Sequence, residues 1–325
     1  MSNAAQVGGA GRAARAGRSR LADYAPTYGA LAALVLLFVA NSVLTPNFFD
    51  PNNFRNILLQ VSPTVLVAVG MTFVIATRGI DLSVGAVMAI ASAVAATSLD
   101  GGVLAAVALA LAVTTAAGVF NGLLISGFRI QPIIVTLALL ISGRGVAQVI
   151  NGGQLIPFSN PTFEWLGRGQ IAGLPVQVLL MLLAVAAAIF VMRKTVFGRY
   201  VVAVGGNESA ARLAGVKVAR TKVTVYALSG LLAGLAGLIE TARQGASDAP
   251  NIGLNIELDA IAATVVRGTP LTGGRATVIG TLIGALIMQI ITTSFNMNGV
   301  PYAWSLVIKA AIIIVAVYVQ RPKVA

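Results

Sequence analysis

The chain has 325 residues, 57% of them hydrophobic and only 10% charged, with a mean hydropathy of +0.89. Soluble domains carry about 25% charged residues, so most of this chain is expected inside a bilayer. Its 22 basic and 10 acidic residues give a net charge of +12, yet little polar surface remains on which a nucleic acid could lie, and no nucleic-acid partner is expected. The absence of cysteine and histidine excludes disulfides, thiolate nucleophiles, imidazole bases and Cys/His metal centres.

Residues 1–25 are rich in Gly, Ala and Arg, with Arg12, Arg15, Arg18 and Arg20 against the single acid Asp23. This composition predicts a basic, disordered cytoplasmic tail that orients the first span, followed by one membrane domain over 26–321. A helix needs roughly 20 apolar residues to cross the hydrocarbon core. The apolar runs place spans at about 27–45, 57–77, 82–99, 102–126, 132–150, 176–192, 222–240, 256–268, 276–296 and 303–320. The eighth is too short to cross alone and reads as a half-helix or a tilted, broken segment. Pro63, inside the second span, is expected to kink or break it, whereas Pro132 opens the fifth, where a missing N–H costs little. The expected fold is therefore an all-α, polytopic transmembrane helical bundle of about ten spans.

With ten crossings and the N-terminus inside, seventeen of the 22 basic residues fall on the inner side and three on the outer side. That asymmetry follows the positive-inside rule and predicts that both termini are cytoplasmic. Three pairs of small residues, Gly118-x-x-x-Gly122, Gly230-x-x-x-Gly234 and Gly280-x-x-x-Gly284, each put two glycines on one helix face, the usual means of close helix packing in lipid.

Candidate functional residues follow in chain order. Gly79-Ile-Asp-Leu-Ser-Val-Gly85 sets the carboxylate of Asp81 between two apolar runs, where a charge must be buried in protein or face a watery path. Asp81 with Ser83 either caps the helix that starts near Val84 or touches substrate. Asn121 and Gln131 are weaker polar candidates of the same kind. If helical, Arg144, Gln148 and Asn151 share one face near the outer end of a span, to line a polar path or to pack on other polar groups. The longest polar stretch, 193–222, is basic and contains Ser209-Ala-Ala-Arg-Leu-Ala-Gly215, a short helix stopped by glycine. It reads either as a docking element or as a solvated loop. Glu257 and Asp259 begin a later helix, where acids suit the positive end of the helix dipole.

The stretch Ala68-Val-Gly-Met-Thr-Phe-Val-Ile-Ala-Thr-Arg-Gly-Ile-Asp-Leu-Ser-Val-Gly85 resembles the permease subunits of bacterial ATP-binding-cassette (ABC) importers for monosaccharides, the ribose, xylose, arabinose and galactofuranose type. Two further blocks are similar to the same family: Ala203-Val-Gly-Gly-Asn-Glu-Ser-Ala-Ala-Arg-Leu-Ala-Gly-Val216, which looks like its coupling loop, and Glu257–Gly274, which departs from it at Arg267 and Pro270. Gly143–Gln154 resembles the variant of permeases for furanose-form sugars.

This resemblance implies the larger, vitamin-type (type II) importer fold in the bacterial inner membrane. It implies ATPase coupling through Ser209, Ala210, Ala211, Leu213 and Gly215, and makes Asp81, Ser83, Asn121, Arg144, Gln148 and Asn151 translocation-path candidates. The implied partners are an ABC ATPase subunit that binds ATP and magnesium, a second permease subunit, identical or paralogous, and a periplasmic sugar-binding protein. No cofactor or metal is expected in this chain, which has no Gly-Lys pair and hence no phosphate loop. The alternatives are an ion-coupled carrier for a small polar solute, which would need a mid-membrane carboxylate such as Asp81 and internal repeats, and a membrane enzyme, which would need an acid pair.

Overall fold

The computed structural model describes residues 31–266 and 269–319. The basic tail 1–25, Arg267, Arg321 and Lys323 lie outside the described residues. Thirteen helices follow in order among the described residues. The first five are α1 (Leu31–Leu44), α2 (Pro51–Ala76), α3 (Val84–Ser98, extended by a 3-10 turn over Leu99–Gly101), α4 (Val103–Gly127) and α5 (Pro132–Ile150). Then come α6 (Pro161–Arg168), α7 (Val176–Lys194), α8 (Val196–Gly206), α9 (Glu208–Leu213) and α10 (Val218–Gln244), and last α11 (Ile256–Val265), α12 (Val278–Met297) and α13 (Tyr302–Val319). Seven of them, α2, α3 with its turn, α4, α5, α7, α10 and α12, are long and apolar enough to cross a membrane.

The chain is not purely helical. Residues Ile156–Pro157 (β1) and Ala246–Ser247 (β4) pair antiparallel, and Gln170–Ile171 (β2) pairs with Leu174–Pro175 (β3). The β1–β4 ladder ties the loop after α5 to the loop after α10.

Helix α2 stands at the centre, with 78% of its most apolar window buried, against 22% for α4 and for α5. It packs on α7, α10, α11 and α12. Its start is earlier than the apolar run suggests because Asp50 accepts the Asn52 N–H at 2.7 Å and Pro51 occupies the first turn. Contrary to expectation, Pro63 does not break the helix, which is continuous from Pro51 to Ala76. Helices packed on every side supply enough contact to hold the turn that lacks an N–H. Pro132 opens α5 as expected.

The glycine pairs explain the broadest helix contact, between α4 and α10. A Cβ on Gly118 would strike the Tyr226 carbonyl, one on Gly122 would meet the backbone of Val223, and ones on Gly230 and Gly234 would meet Thr114. Gly284 likewise lies on the backbone of Ala263 in α11. Backbones touch because side chains are absent there.

One end of the bundle gathers α8, α9 and the segments around Arg78, Arg129 and Arg275. Three chain segments meet there backbone to backbone. The Gly274 N–H donates to the Ala76 carbonyl at 3.0 Å, and Gly205 lies on the same carbonyl with no room for a Cβ. Arg78 spans the junction, donating to the Thr272 carbonyl at 2.8 Å and to the Gly206 carbonyl at 2.7 Å. The opposite end carries α6 and both strand ladders.

Candidate coupling helix and polar clusters

Helix α9 is short but held at both ends. Asn207 caps it by accepting the Ala210 N–H at 3.0 Å. At the far end the Val216 N–H donates to the Ala211 carbonyl and the Gly215 N–H to the Arg212 carbonyl, each at 3.0 Å. Gly215 has φ +82°, so this is the paired-bond glycine stop that the sequence anticipates. Ala211 is buried against Val204 and Val218. Ser209, Ala210 and Gly215 are exposed, and Leu213 is 90% exposed. Of the five residues that the family resemblance picks out for coupling, four are therefore exposed, whereas Ala211 anchors the helix from beneath. Glu208, at the start of α9, is bonded to Lys222 at 2.7 Å and Arg212 at 3.1 Å. Partial burial alone would raise its pKa, but Lys222 and Arg212 outweigh that and hold the carboxyl below its ordinary value.

Asp81, Ser83 and Asn121 come together as one buried cluster. Asp81 Oδ1 accepts the Ser83 hydroxyl at 2.6 Å and the Ser83 N–H at 3.0 Å, while Oδ2 accepts the Ser229 hydroxyl of α10 at 2.8 Å. Asn121 Nδ2 donates to Ser83 Oγ at 3.0 Å. Of the two readings of Asp81 with Ser83, capping is met only in part: Asp81 accepts the N–H of the N-cap residue Ser83, whereas the Ser83 side chain makes no cap bond. The carboxylate is also occupied in tying the α2–α3 connection to α10. Ser229, lying 148 residues downstream, carried no signal in the sequence.

The face of α5 that carries Arg144, Gln148 and Asn151 turns toward the irregular segment 246–255. Arg144 donates to the carbonyls of Ala249 and Ile252. Asn151 Nδ2 donates to Ser247 Oγ at 2.9 Å and to its carbonyl at 3.1 Å, and Ser92 donates to Ser247 Oγ at 2.8 Å. Gln148 is half-buried, and Gln131 is exposed at the start of α5. Irregular backbone leaves carbonyls without ladder partners, and Arg144 and Asn151 supply donors to those of Ala249, Ile252 and Ser247. The segment leads into α11, only ten residues long, as expected of the eighth run. Glu257 on α11 is 9% exposed, its Oε2 accepts no hydrogen bond, and it lies within electrostatic reach of Arg144. Asp259 holds Lys309 of α13 at 2.9 and 3.0 Å. Reading the two acids as dipole partners missed this pair, although a lone lysine in an apolar run is itself the signal for a buried partner.

The family described as branched-chain amino acid transport system / permease component matches residues 53–317. The ribose import permease of Escherichia coli (strain K12) is 43% identical over 299 residues, covering 90% of this chain and 93% of that one. The galactofuranose transporter permease of the same organism is 41% identical over 303 residues, with 90% and 89% covered. The L-arabinose ABC transporter permease of Azospirillum brasilense is 36% identical over 299 residues, with 89% and 86% covered. The chain belongs to the family of monosaccharide ABC importer permeases. No solved structure matches it. The permease is a multi-pass membrane protein and a transporter subunit rather than an enzyme, ATP hydrolysis belonging to a separate subunit. Permeases of this family work with an ATPase and a substrate-binding protein.

Proposed function

We propose that the permease forms half of the path by which an ABC importer moves a pentose, or a hexose in its furanose form, across the bacterial inner membrane. The sugar class rests on relatives named for ribose, galactofuranose and L-arabinose. Two permeases, identical or paralogous, stand side by side. A binding protein delivers sugar at the end with the strand ladders, and an ATPase that binds ATP and magnesium docks at the α8–α9 end. Counting α1, α11 and α13 with the seven long helices allows ten crossings, an even number that would leave both termini on one side, the cytoplasmic side by the charge asymmetry, as in the type II fold. No cofactor or metal resides in this chain.

The observation that carries this reading is Leu213, 90% exposed at the tip of a helix capped at both ends and seated on Ala211. On a capped, charged helix that the family resemblance marks for coupling, this leucine is free to enter an apolar groove of the ATPase. Ser209, Ala210 and Gly215 shape the contact and Ala211 holds it. Leu213→Asp, or Ala210→Glu, buries an unpaired charge at that contact. Each should abolish ATPase co-purification and lower ATP-driven uptake by on the order of a hundredfold, about 3 kcal/mol, with an unchanged melting temperature. Normal co-purification and uptake in both variants would remove α9 from the coupling role.

Along the path, Arg144 and Gln148 offer polar groups beside segment 246–255, and Asn151 fixes that segment. Asp81, Ser83 and Asn121 sit too deep in the α3–α4–α10 core to meet sugar in this conformation, and we assign them the seat on which α3 turns. An ion-coupled carrier would need a free carboxylate there, and both Asp81 oxygens are already occupied.

A further inference from the structure

A cleft of about 760 Å³ opens at the charged end of the bundle, where α4 stops, α5 starts and α10 starts. Arg129, Arg212, Lys217, Arg220 and Lys222 line it, against the single carboxylate of Glu208. Glu208 is taken up by Arg212 and Lys222, so Arg129, Lys217 and Arg220 have no acidic partner among the described residues. Like charges gathered at one cleft repel each other, and a bound anion would relieve that repulsion.

The position of the cleft narrows the kind of anion. It opens where apolar helices end, which is the level of lipid headgroups. Close to it in the chain, Leu123, Phe128, Ile130, Ile133 and Ile134 are exposed at the end of α4, the turn that follows and the start of α5, and Ile130 lines the cleft itself. Cations that suit a phosphate, with exposed apolar side chains that suit hydrocarbon at the same helix ends, match the two parts of one molecule. We propose that this cleft binds the phosphate headgroup of an acidic phospholipid from the adjacent leaflet. Seated there, the lipid touches Arg212 of α9 as well as Arg129 and Arg220, and so braces the short helix against the α4–α5 turn. The inference requires that the chain be embedded in a bilayer, and does not depend on which solute it transports.

The test uses the full chain in nanodiscs of phosphatidylcholine, with and without phosphatidylglycerol. Native mass spectrometry counts the retained phosphatidylglycerol, and thermal unfolding reports stabilisation. Expected results are preferential retention by the wild-type protein and retention on the order of tenfold weaker in Arg129→Gln/Arg220→Gln, with unchanged melting in pure phosphatidylcholine. Arg129→Lys/Arg220→Lys should keep the lipid, and Arg168→Gln at the opposite end should have no effect. Equal retention by wild type and the Gln variant would overturn the proposal, as would an equal loss in Arg168→Gln. Stabilisation by inorganic phosphate alone in phosphatidylcholine discs, matching that by phosphatidylglycerol, would overturn the lipid as the source of the phosphate. If the Gln variant lost only its ATPase and kept its lipid, the cleft would be a protein contact and the proposal would fall.

Discussion

Lys309 is an ammonium on an otherwise apolar helix, its side chain 8% exposed, with both oxygens of Asp259 within 3.0 Å. Removing one partner strands the other charge, which costs about 3–5 kcal/mol for buried pairs, whereas replacing both by neutral groups is often nearly free. Lys309→Met should accordingly lower the melting temperature sharply, and Lys309→Met/Asp259→Leu should recover most of the loss; a double variant as unstable as the single one would show that the pair does not act as a unit. The same residues mark what a sequence can and cannot show about a site. A lysine in one apolar run and an acid in another are each visible, but their pairing depends on α13 lying beside α11. Asp81 is similar: its isolation between apolar runs was legible, and its partner Ser229 was not, because serines are common on membrane helices and only the α2–α10 packing selects one. Arg144 read as one member of a polar face, and that face exists, yet nothing local revealed that it serves the carbonyls of Ala249 and Ile252.

Among elements, α4 and α10 are joined by glycines meeting backbone. Gly118→Leu would drive a side chain into the Tyr226 carbonyl, which no rotamer avoids. Overpacking of this kind costs about 1–3 kcal/mol or more, so a melting temperature lowered by several degrees in detergent is expected, against no change for Gly127→Leu at an open position. The glycine spacing made this contact readable as close packing, though not which helices it joins. Helix α9 shows the complementary limit. Its glycine stop was legible, but the inward phase of Ala211 is set by Val204 and Val218 beneath it, which spacing within six residues cannot reveal. Acid should loosen this element. Because the folded value of Glu208 lies below its ordinary 4.5, the carboxylate stabilises α9 fully above about that pH, and the contribution disappears as pH falls through the lowered folded value. Amide exchange in 208–216 should rise more between pH 5 and pH 3, after correction for intrinsic rates, than in Glu208→Gln, whose exchange should be fast at both.

At the scale of the whole molecule, the apolar runs marked out nearly every long helix, since a bilayer imposes length and hydropathy together. They were silent on the centrality of α2 and on the strand ladders, whose pairing joins residues far apart in the chain. A permease that has no phosphate loop, and whose Asp81 carboxylate is bonded at both oxygens, should be inert alone. Proteoliposomes containing it with its ATPase and binding protein should accumulate a pentose on addition of ATP, and those containing it alone should accumulate none under a proton or sodium gradient. Gradient-driven uptake by the lone chain would return the carrier reading to first place. The junction at Ala76 has a mechanical meaning for such an assembly. Gly205 and Gly274 rest on one carbonyl with no side chain between them, and Arg78 bolts the two flanking strands of chain together. If α9 is the docking element proposed above, a displacement applied there would reach the foot of the central helix by way of α8 and a backbone contact, braced by Arg78. Such a linkage would be stiff by omission, because the three residues that meet there have almost nothing to bend.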